Sequence, residues 1–215
     1  MSEETTYSWR TSDGSRIRIG AEPSYVYSNV CRFVVDPPVY PGGALHVPSS
    51  AGEKSAFSPL ARRILGLAGV SDVLIAGDSV TVTTAQPADW DEMGSAVAHA
   101  IREQIESGVA SVSPDHKRTL PPPESLRHKV QALIDEAVAP AVASHGGSVT
   151  VLDVLENNVY LEFGGGCQGC GMSHVTLKYG VERLIREHVP EVGVILDTTD
   201  HAGGKNPYYR ANPGQ

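Results

Sequence analysis

Residues 158–192 read NVYLEFGGGCQGCGMSHVTLKYGVERLIREHVPEV, which joins a strand-like run to a glycine-rich loop with two cysteines and then to a helical pattern. The alternation of apolar and polar residues in NVYLEF predicts a strand. A helix is predicted from about Ser173 to His188, and Pro190 ends it. The predicted inner face of this helix consists of residues at helical spacing: Val181, Leu184, Ile185 and His188.

The flanking sequence extends this pattern to the order α-β-β-α-β. The run SVTVLDV (148–154) predicts a strand that pairs with NVYLEF across residues 156–158, where asparagine tolerates the positive φ of a tight hairpin. Upstream of it, an amphipathic helix begins at Leu126 and continues to Val138, and Pro140 kinks or shortens it. Downstream, VGVILDT (192–198) predicts a last strand.

The first half of the chain predicts a second α+β domain. Strands are expected in RIRIG (16–20) and YVYSNVCRFVV (25–35), a loop at PPVYPGG (37–43), a helix in LARRILGLAG (60–69), and a hairpin turn at Gly77-Asp78. A longer helix follows over residues 87–105. We therefore predict an α+β protein with two small α/β-sandwich domains joined by a Pro-rich linker.

Domain boundaries follow from the stretch SGVASVSPDHKRTLPPP, which shows no hydrophobic period and ends in three prolines. The predicted segments are an N-terminal tail 1–16, a first domain 17–106, a linker 107–123, a second domain 124–200 and a tail 201–215.

Composition excludes several classes of partner. The 215 residues include 17 Lys and Arg against 25 Asp and Glu, a net charge of -8, so no polybasic surface is available for nucleic acid or anionic membrane. The chain shows neither a secretory leader pattern nor an apolar run of the roughly 18 residues that a membrane span needs. Three cysteines are too few for a disulfide framework. We expect a soluble cytoplasmic protein whose partners are other proteins.

The pair Cys167 and Cys170 is the strongest chemical signal. Glycines at 164, 165, 166, 169 and 171 favour a tight loop that turns both sulfurs to one side. The positive end of the following helix favours thiolate over thiol, and thiolate is the form that binds metal or attacks a disulfide. The alternative is that both thiols are buried in a turn and have no reactive or metal-binding role. Metal, iron–sulfur cluster and redox use all stay open.

The ligand count narrows these possibilities. A soft metal or a cluster takes four ligands, whereas this spacing supplies two. Cys31 lies in a strand and is predicted to be a core thiol, and His174 is predicted to be a solvated surface group. Two chains related by a two-fold axis would supply four thiolates. Residues 164–169 also match the G-x-G-x-x-G pattern of dinucleotide-binding sites. We reject that interpretation because the preceding strand belongs to a hairpin.

These residues resemble a known family. Residues 126–200 resemble the C-terminal domain of NifU, the Nfu-type iron–sulfur carrier domain, and the Cys-x-x-Cys followed by VTLKYGVERLIREHVPEV is the most specific part. Residues 17–106, especially SPLARRILGLAGVSDVLIAGDSVTVT, resemble the N-terminal domain of Nfu proteins. The chain departs from the family pattern at residues 22–29, where a TPNPN-like stretch is usual, at His145 in place of Asp, and at Gly171 in place of Pro.

The resemblance implies a carrier with no enzymatic activity. It would hold a 4Fe-4S cluster between Cys167 and Cys170 of two chains in a homodimer, receive that cluster from an upstream donor, and pass it to apo iron–sulfur proteins. The alternative is a thiol-disulfide oxidoreductase with Cys167 as nucleophile and Cys170 as resolving thiol. A structural zinc clip between two subunits would use the same four thiolates. The first domain is expected to bind a target or the donor.

Overall fold

The computed structural model describes residues 5–10, 14–50, 52–144, 146–165 and 171–198. The chain divides into two compact units, Met1–Leu120 and Pro121–Gln215. Helices pack on a sheet in each unit, which confirms the predicted α+β class. Within the described ranges, no helix combines the length and apolar character needed to span a membrane.

The first unit is built on an antiparallel sheet in the order β1-β2-β3-β6-β5-β4. Its elements in chain order are β1 Thr5–Arg10, β2 Arg16–Pro23, β3 Val30–Asp36, β4 Tyr40–Pro48, a 3-10 helix Gly52–Phe57, α1 Pro59–Leu65, β5 Val70–Gly77, β6 Ser79–Thr84, α2 Trp90–Glu106 and α3 Asp115–Thr119.

Sequence pattern explains the main elements of this unit. Alternate residues of β2 and β3 are buried, as a strand with one face on the core requires. Ser58 caps α1 because its side chain accepts a hydrogen bond from the backbone N–H of Ala61. The hairpin predicted at Gly77 is confirmed: Ala76 pairs with Ser79, and Gly77 has a φ of 57°.

The predicted N-terminal tail 1–16 is wrong in part, because Thr5–Arg10 forms the edge strand β1 paired with β2. Tyr7 and Trp9 alternate along this strand and stack with ring centroids 5.9 Å apart. Trp9 also lies 5.6 Å from the His99 ring and 5.5 Å from the Arg102 guanidinium, both on α2. Contacts with a helix ninety residues away hold the strand, and local pattern does not reveal them.

The loop predicted at residues 37–43 is also shorter than expected. Strand β4 begins at Tyr40, and its pairing with β5 shifts register between Tyr40 and Ala44. This irregularity contains Pro41, Gly42 and Gly43. A bulge accommodates residues that an unbroken ladder would exclude, so the strand continues through them.

The structure differs from the predicted linker 107–123. The boundary between the units falls after Leu120, and most of the preceding segment packs on the first unit. Ser111, Val112 and His116 are buried. The Ser58 hydroxyl donates to the Ser111 carbonyl at 2.7 Å, and the Tyr40 hydroxyl lies 2.9 Å from His116 Nδ1. Residues 120–122, between α3 and the helix that begins at Pro123, connect the two units.

The second unit has a three-stranded sheet, β7-β8-β9, with the helices α4, α5 and α6. Its elements are α4 Pro123–Leu133, a π-helical segment Ile134–Val138, α5 Ala139–Ala143, β7 Gly147–Leu155, β8 Asn158–Gly165, α6 Gly171–His188 and β9 Ile195–Asp197. Strand β8 pairs antiparallel with β7 and parallel with β9. The predicted order α-β-β-α-β is confirmed.

Pro140 does not end the first helix of this unit. The helix continues through the π-helical segment into α5, where Pro140 occupies the first turn. Because proline lacks an N–H and its ring collides with the carbonyl of the preceding turn, a local π-helical widening is one way to keep the axis continuous. Val138 and Val142 stay buried on either side.

Two details of the second unit correct the predictions. The residue with positive φ in the β7–β8 turn is Glu156, at 55°, and not an asparagine. Buried Asn157 instead donates from its side chain to the Glu191 carbonyl at 3.0 Å, which ties the turn to the segment after α6. His188 is exposed, whereas Val181 and Ile185 are buried as predicted.

Candidate functional site

The predicted site residues Cys167 and Cys170 lie outside the described residues, as does His145. The structure describes both flanks of their segment: β8 ends at Gly165 and α6 begins at Gly171. Five residues, 166–170, therefore connect the middle strand of the sheet to the N-terminus of α6.

The connection β8–α6–β9 is a crossover between parallel strands. Val159 pairs with Ile195 and Leu161 with Asp197, so α6 must carry the chain back along the sheet. The cysteine segment thus follows the carboxyl end of a central strand and precedes a helix N-terminus. In sheets with this connection, that edge is where backbone N–H groups and helix ends converge on ligands.

Both flanks are anchored in the core. Val159, Leu161 and Phe163 of β8 are essentially fully buried. Leu161 also accepts two hydrogen bonds through its carbonyl, from the backbone N–H and the hydroxyl of Thr198, at 2.8 and 2.9 Å. Ile185 holds α6 from the other side. The strand before the cysteine segment and the helix after it therefore both pack in the core of the second unit.

The first glycine of the run has a steric reason of its own. Gly164 pairs with Ser148 across the β7–β8 hairpin. A Cβ atom at Gly164 would come too close to the Ser148 hydroxyl oxygen, so the serine side chain would have to rotate away. The prediction that all these glycines shape the loop therefore misses a role inside the strand. No local signal reveals it, because the register shifts by one residue between Val151 and Asp153.

The electrostatics of the helix start favour negative charge. Helix α6 carries no acidic residue in its first turn, so no side chain there offsets the positive end of its dipole. Further along α6, burial raises the pKa of Glu182, although Lys178 and Arg186 act in the opposite direction. A helix N-terminus stabilises an adjacent thiolate and so lowers the pKa of that cysteine.

Cys31 is separate from this site. It is fully buried in β3 and its thiol is free. Burial raises the pKa of this thiol to about 12. A hydrogen bond with the Glu22 backbone lowers the pKa, and the Glu22 carboxylate raises it by a smaller amount. The prediction that Cys31 is a core residue is confirmed, and a neutral buried thiol is a poor metal ligand.

Other donors do not complete a four-ligand set in the described part of the chain. Among its residues, no group of three or more His, Cys, Asp and Glu side chains is placed to hold a metal ion. The backbone of His174 lies in α6, but the position of its side chain is outside the description. Cys167 and Cys170 therefore stay the candidate ligands predicted from the sequence, and the described residues add no further set to them.

Two family models match the chain, one in each unit. The model described as "NifU-like domain" matches residues 130–195. The model described as "Scaffold protein Nfu/NifU N terminal" matches residues 27–108. The chain joins an Nfu N-terminal domain to a NifU-like domain. This confirms the resemblance inferred from the cysteine loop and from residues 58–83.

Curated relatives match part of the chain. A protein of Pseudomonas savastanoi pv. phaseolicola named "Fe/S biogenesis protein NfuA" is 44% identical over 88 residues, which are 39% of this chain and 45% of that protein. A protein of the same name from Pseudomonas aeruginosa is 45% identical over 85 residues, 39% of this chain and 44% of that one. The chain thus spans under half the length of the curated relatives it matches.

A solved structure also matches the chain. It is the solution NMR structure of a NifU-like protein from Saccharomyces cerevisiae, 15% identical, with a TM-score of 0.38. The match covers 53% of this chain and 90% of the yeast chain. A score at this level carries no argument about the present fold, which rests on the elements described above.

Proposed function

We propose that two copies of the chain bind one 4Fe-4S cluster through Cys167 and Cys170 of each copy and transfer it to apo iron–sulfur proteins. The observation that carries this proposal is the position of the Cys-x-x-Cys segment between the central strand β8 and the N-terminus of α6, in a domain matched by the NifU-like model. The name shared by the relatives, Fe/S biogenesis protein, supports the same role.

The number of ligands requires two chains. A 4Fe-4S cluster takes four thiolates, and each chain offers the pair Cys167 and Cys170. Cys31 cannot contribute because it is buried in the core of the other unit as a neutral thiol. A two-fold axis between the chains brings the two pairs together and makes a homodimer.

Sharing the cluster between chains suits transfer. Separation of the two chains removes half of the ligands at once, so an apo-protein with its own cysteines can compete for the iron. The protein therefore carries its cluster as cargo, which places it among carriers and not among enzymes. It receives the cluster from an upstream donor and works in the cytoplasm, where thiols stay reduced.

The Nfu N-terminal domain supplies recognition in this proposal. It binds a target or the donor, and the connection through residues 120–122 keeps the cluster-binding unit close to what the first unit has captured. A short connection raises the local concentration of one domain near the partner of the other. Deleting residues 1–120 is expected to leave cluster binding intact and to slow transfer to particular apo-proteins.

Anaerobic reconstitution with iron and sulfide tests cluster binding. The wild-type chain is expected to form a brown dimer with about four irons per two chains, the content of one 4Fe-4S cluster. Cys167→Ala and Cys170→Ala should each abolish iron retention. Cys31→Ala is the matched control, because it removes a thiol buried in the core of the first unit, and it should retain the wild-type iron content.

Three results would contradict the proposal. A colourless wild-type monomer after reconstitution would exclude a shared cluster. Zinc in place of iron, in protein purified without oxygen, would indicate the structural clip. Turnover in an insulin-reduction assay that is lost in Cys167→Ala would indicate the thiol-disulfide oxidoreductase, which uses the same helix N-terminus to lower the pKa of its nucleophile.

A further inference from the structure

An apolar groove runs along α6 on the side that faces the π-helical segment and α5. Its volume is about 290 Å³. Buried valines form the floor, and leucines of α6 and alanines of the opposite helix form the walls. The residues that line it are Ala137, Val138, Ala141, Val142, Leu177 and Leu184, with Gly180 between the leucines and Arg183 and Glu187 at the rim.

The groove is open to contact because small residues lie at its mouth. Ala137, Ala141 and Gly180 are all exposed. A Cβ atom at Gly180 would meet no other atom within 4 Å, so there is free space above the helix at this point. Tyr179, next to the glycine, is 45% exposed. Contiguous apolar surface with a polar rim is typical of a protein–protein contact.

The rim carries opposite charges one helical turn apart. Arg183 Nε lies 3.7 Å from Glu187 Oε1, and the two side chains are 70% and 56% exposed. A pair this exposed contributes little within one chain, so it can exchange partners without a large loss. In a two-fold contact between identical helices, Arg183 of each copy can face Glu187 of the other. The rim is complementary to itself.

The groove also lies along the helix that follows the cysteine segment. Leu177 and Leu184 are seven residues apart, which is the spacing of one stripe along a helix. At about 1.5 Å per residue, Leu177 lies roughly 9 Å along the axis from the start of α6 at Gly171. A second chain that shares a cluster at the start of α6 is therefore within reach of the groove.

From this charge pattern and this position we infer that the groove is the dimer contact, and that it receives α6 of a second copy of this chain. The inference rests on the proposed cluster sharing and adds a protein surface to it. The thiolates alone would connect the chains through iron, whereas the groove lets apolar side chains and the Arg183–Glu187 exchange stabilise the same pairing. The small residues at 137, 141 and 180 permit close approach of the second helix.

Charge reversal tests the second copy as occupant. The full chain is reconstituted anaerobically, and the dimer is measured by sedimentation together with the rate of cluster loss on dilution. Arg183→Glu places like charges opposite each other and should weaken dimerisation about tenfold. The double variant Arg183→Glu with Glu187→Arg restores opposite charges across a two-fold contact and should return to the wild-type value. A foreign partner of fixed charge would not restore binding in this way.

Steric filling gives a second, independent measurement. Ala141→Arg places a long side chain in the groove and should also weaken the dimer about tenfold. Ala132→Arg is the matched control, since Ala132 is exposed on α4 and does not line the groove. Thermal unfolding of the cluster-free variants checks that each one folds.

The outcomes separate the inference from the proposed function. If Ala141→Arg and Arg183→Glu retain a wild-type dimer and cluster, the groove is not the dimer contact, and cluster sharing stands. If both retain the dimer but transfer the cluster more slowly, the occupant is an acceptor protein and the inference is wrong. A double charge swap that fails to rescue Arg183→Glu also contradicts it. A wild-type chain that binds no cluster overturns both proposals.

Discussion

Replacing Ser58 with alanine should destabilise the first unit by about 2 to 4 kcal/mol. Ser58 is fully buried, and its hydroxyl serves two parts of the unit at once. The oxygen accepts from the Ala61 N–H at 2.9 Å, which caps α1, and the hydroxyl donates to the Ser111 carbonyl at 2.7 Å. Loss of such a cap costs about 1 kcal/mol. Removing the donor from a buried carbonyl costs roughly 1 to 3 kcal/mol more.

The two tryptophans make this measurement specific to one unit. Both Trp9 and Trp90 lie in the first unit, so tryptophan fluorescence during urea unfolding reports on that unit. With a urea slope of about 2 kcal/mol/M, Ser58→Ala should lower the unfolding midpoint by about 1 to 2 M. Trypsin should also cut more readily after Lys117 and Arg118, because the segment that they belong to has lost an anchor.

Ser50→Ala is the matched control. Ser50 is exposed, and the same substitution there should change the free energy of unfolding by no more than about 0.5 kcal/mol. A midpoint for Ser58→Ala equal to that of Ser50→Ala would refute the reasoning. It would mean that residues 109–119 are not held by this hydrogen bond, and that the chain after α2 behaves as the linker predicted from the sequence.

Three further predictions concern single residues. Iodoacetamide should not modify Cys31 in the native protein, because burial raises the pKa of its thiol to about 12. After unfolding, Cys31 should react. Labelling of Cys31 before unfolding would contradict this prediction. Burial raises the pKa of Glu182 above its ordinary 4.5. At a pH above the pKa in the folded protein, the buried carboxylate therefore lowers the free energy of unfolding, and below pH 4.5 this loss disappears. Glu182→Gln should therefore gain most over the wild type at neutral pH in chemical denaturation, and a difference that does not shrink as the pH falls would be inconsistent with it. Asn157→Ala should destabilise the second unit by about 1 to 3 kcal/mol by circular dichroism, since it leaves the Glu191 carbonyl without the amide that donates to it, and an unchanged melting curve would count against that contact.

Elements with strong periodicity could be predicted from the sequence, and elements held by distant contacts could not. The order α-β-β-α-β follows from apolar spacing and from the turn at residues 156–158, because those signals are local. Strand β1 depends on Trp9 contacting His99 and Arg102, which are far away in the chain. The predicted linker likewise overlooks the buried contact of His116 with Tyr40.

Register is the second kind of information that pattern does not carry. Counting back from the pair Leu155 and Asn158 without interruption would place Val149 opposite Gly164. The shift between Val151 and Asp153 places Ser148 there instead. A single bulge thus decides which side chain meets the glycine at the start of the cysteine loop, and bulges depend on packing more than on residue type. The candidate ligands could be named from the sequence, whereas the strand register next to them required the structure.

The count of cysteines, three in the chain, acquires a physical meaning once Cys31 is placed in the core. In the proposed dimer, two thiolates per chain make a half-site, and the affinity of a half-site for a cluster depends on the concentration of the other half. Such a carrier can hold its cargo firmly while paired and release it when the pair separates. The dimer contact, and not the thiolates, is then the part of the molecule that sets how readily the cluster leaves. A groove whose rim is complementary to itself, beside the helix that follows the cysteines, is where sequence changes could adjust that balance without altering a ligand.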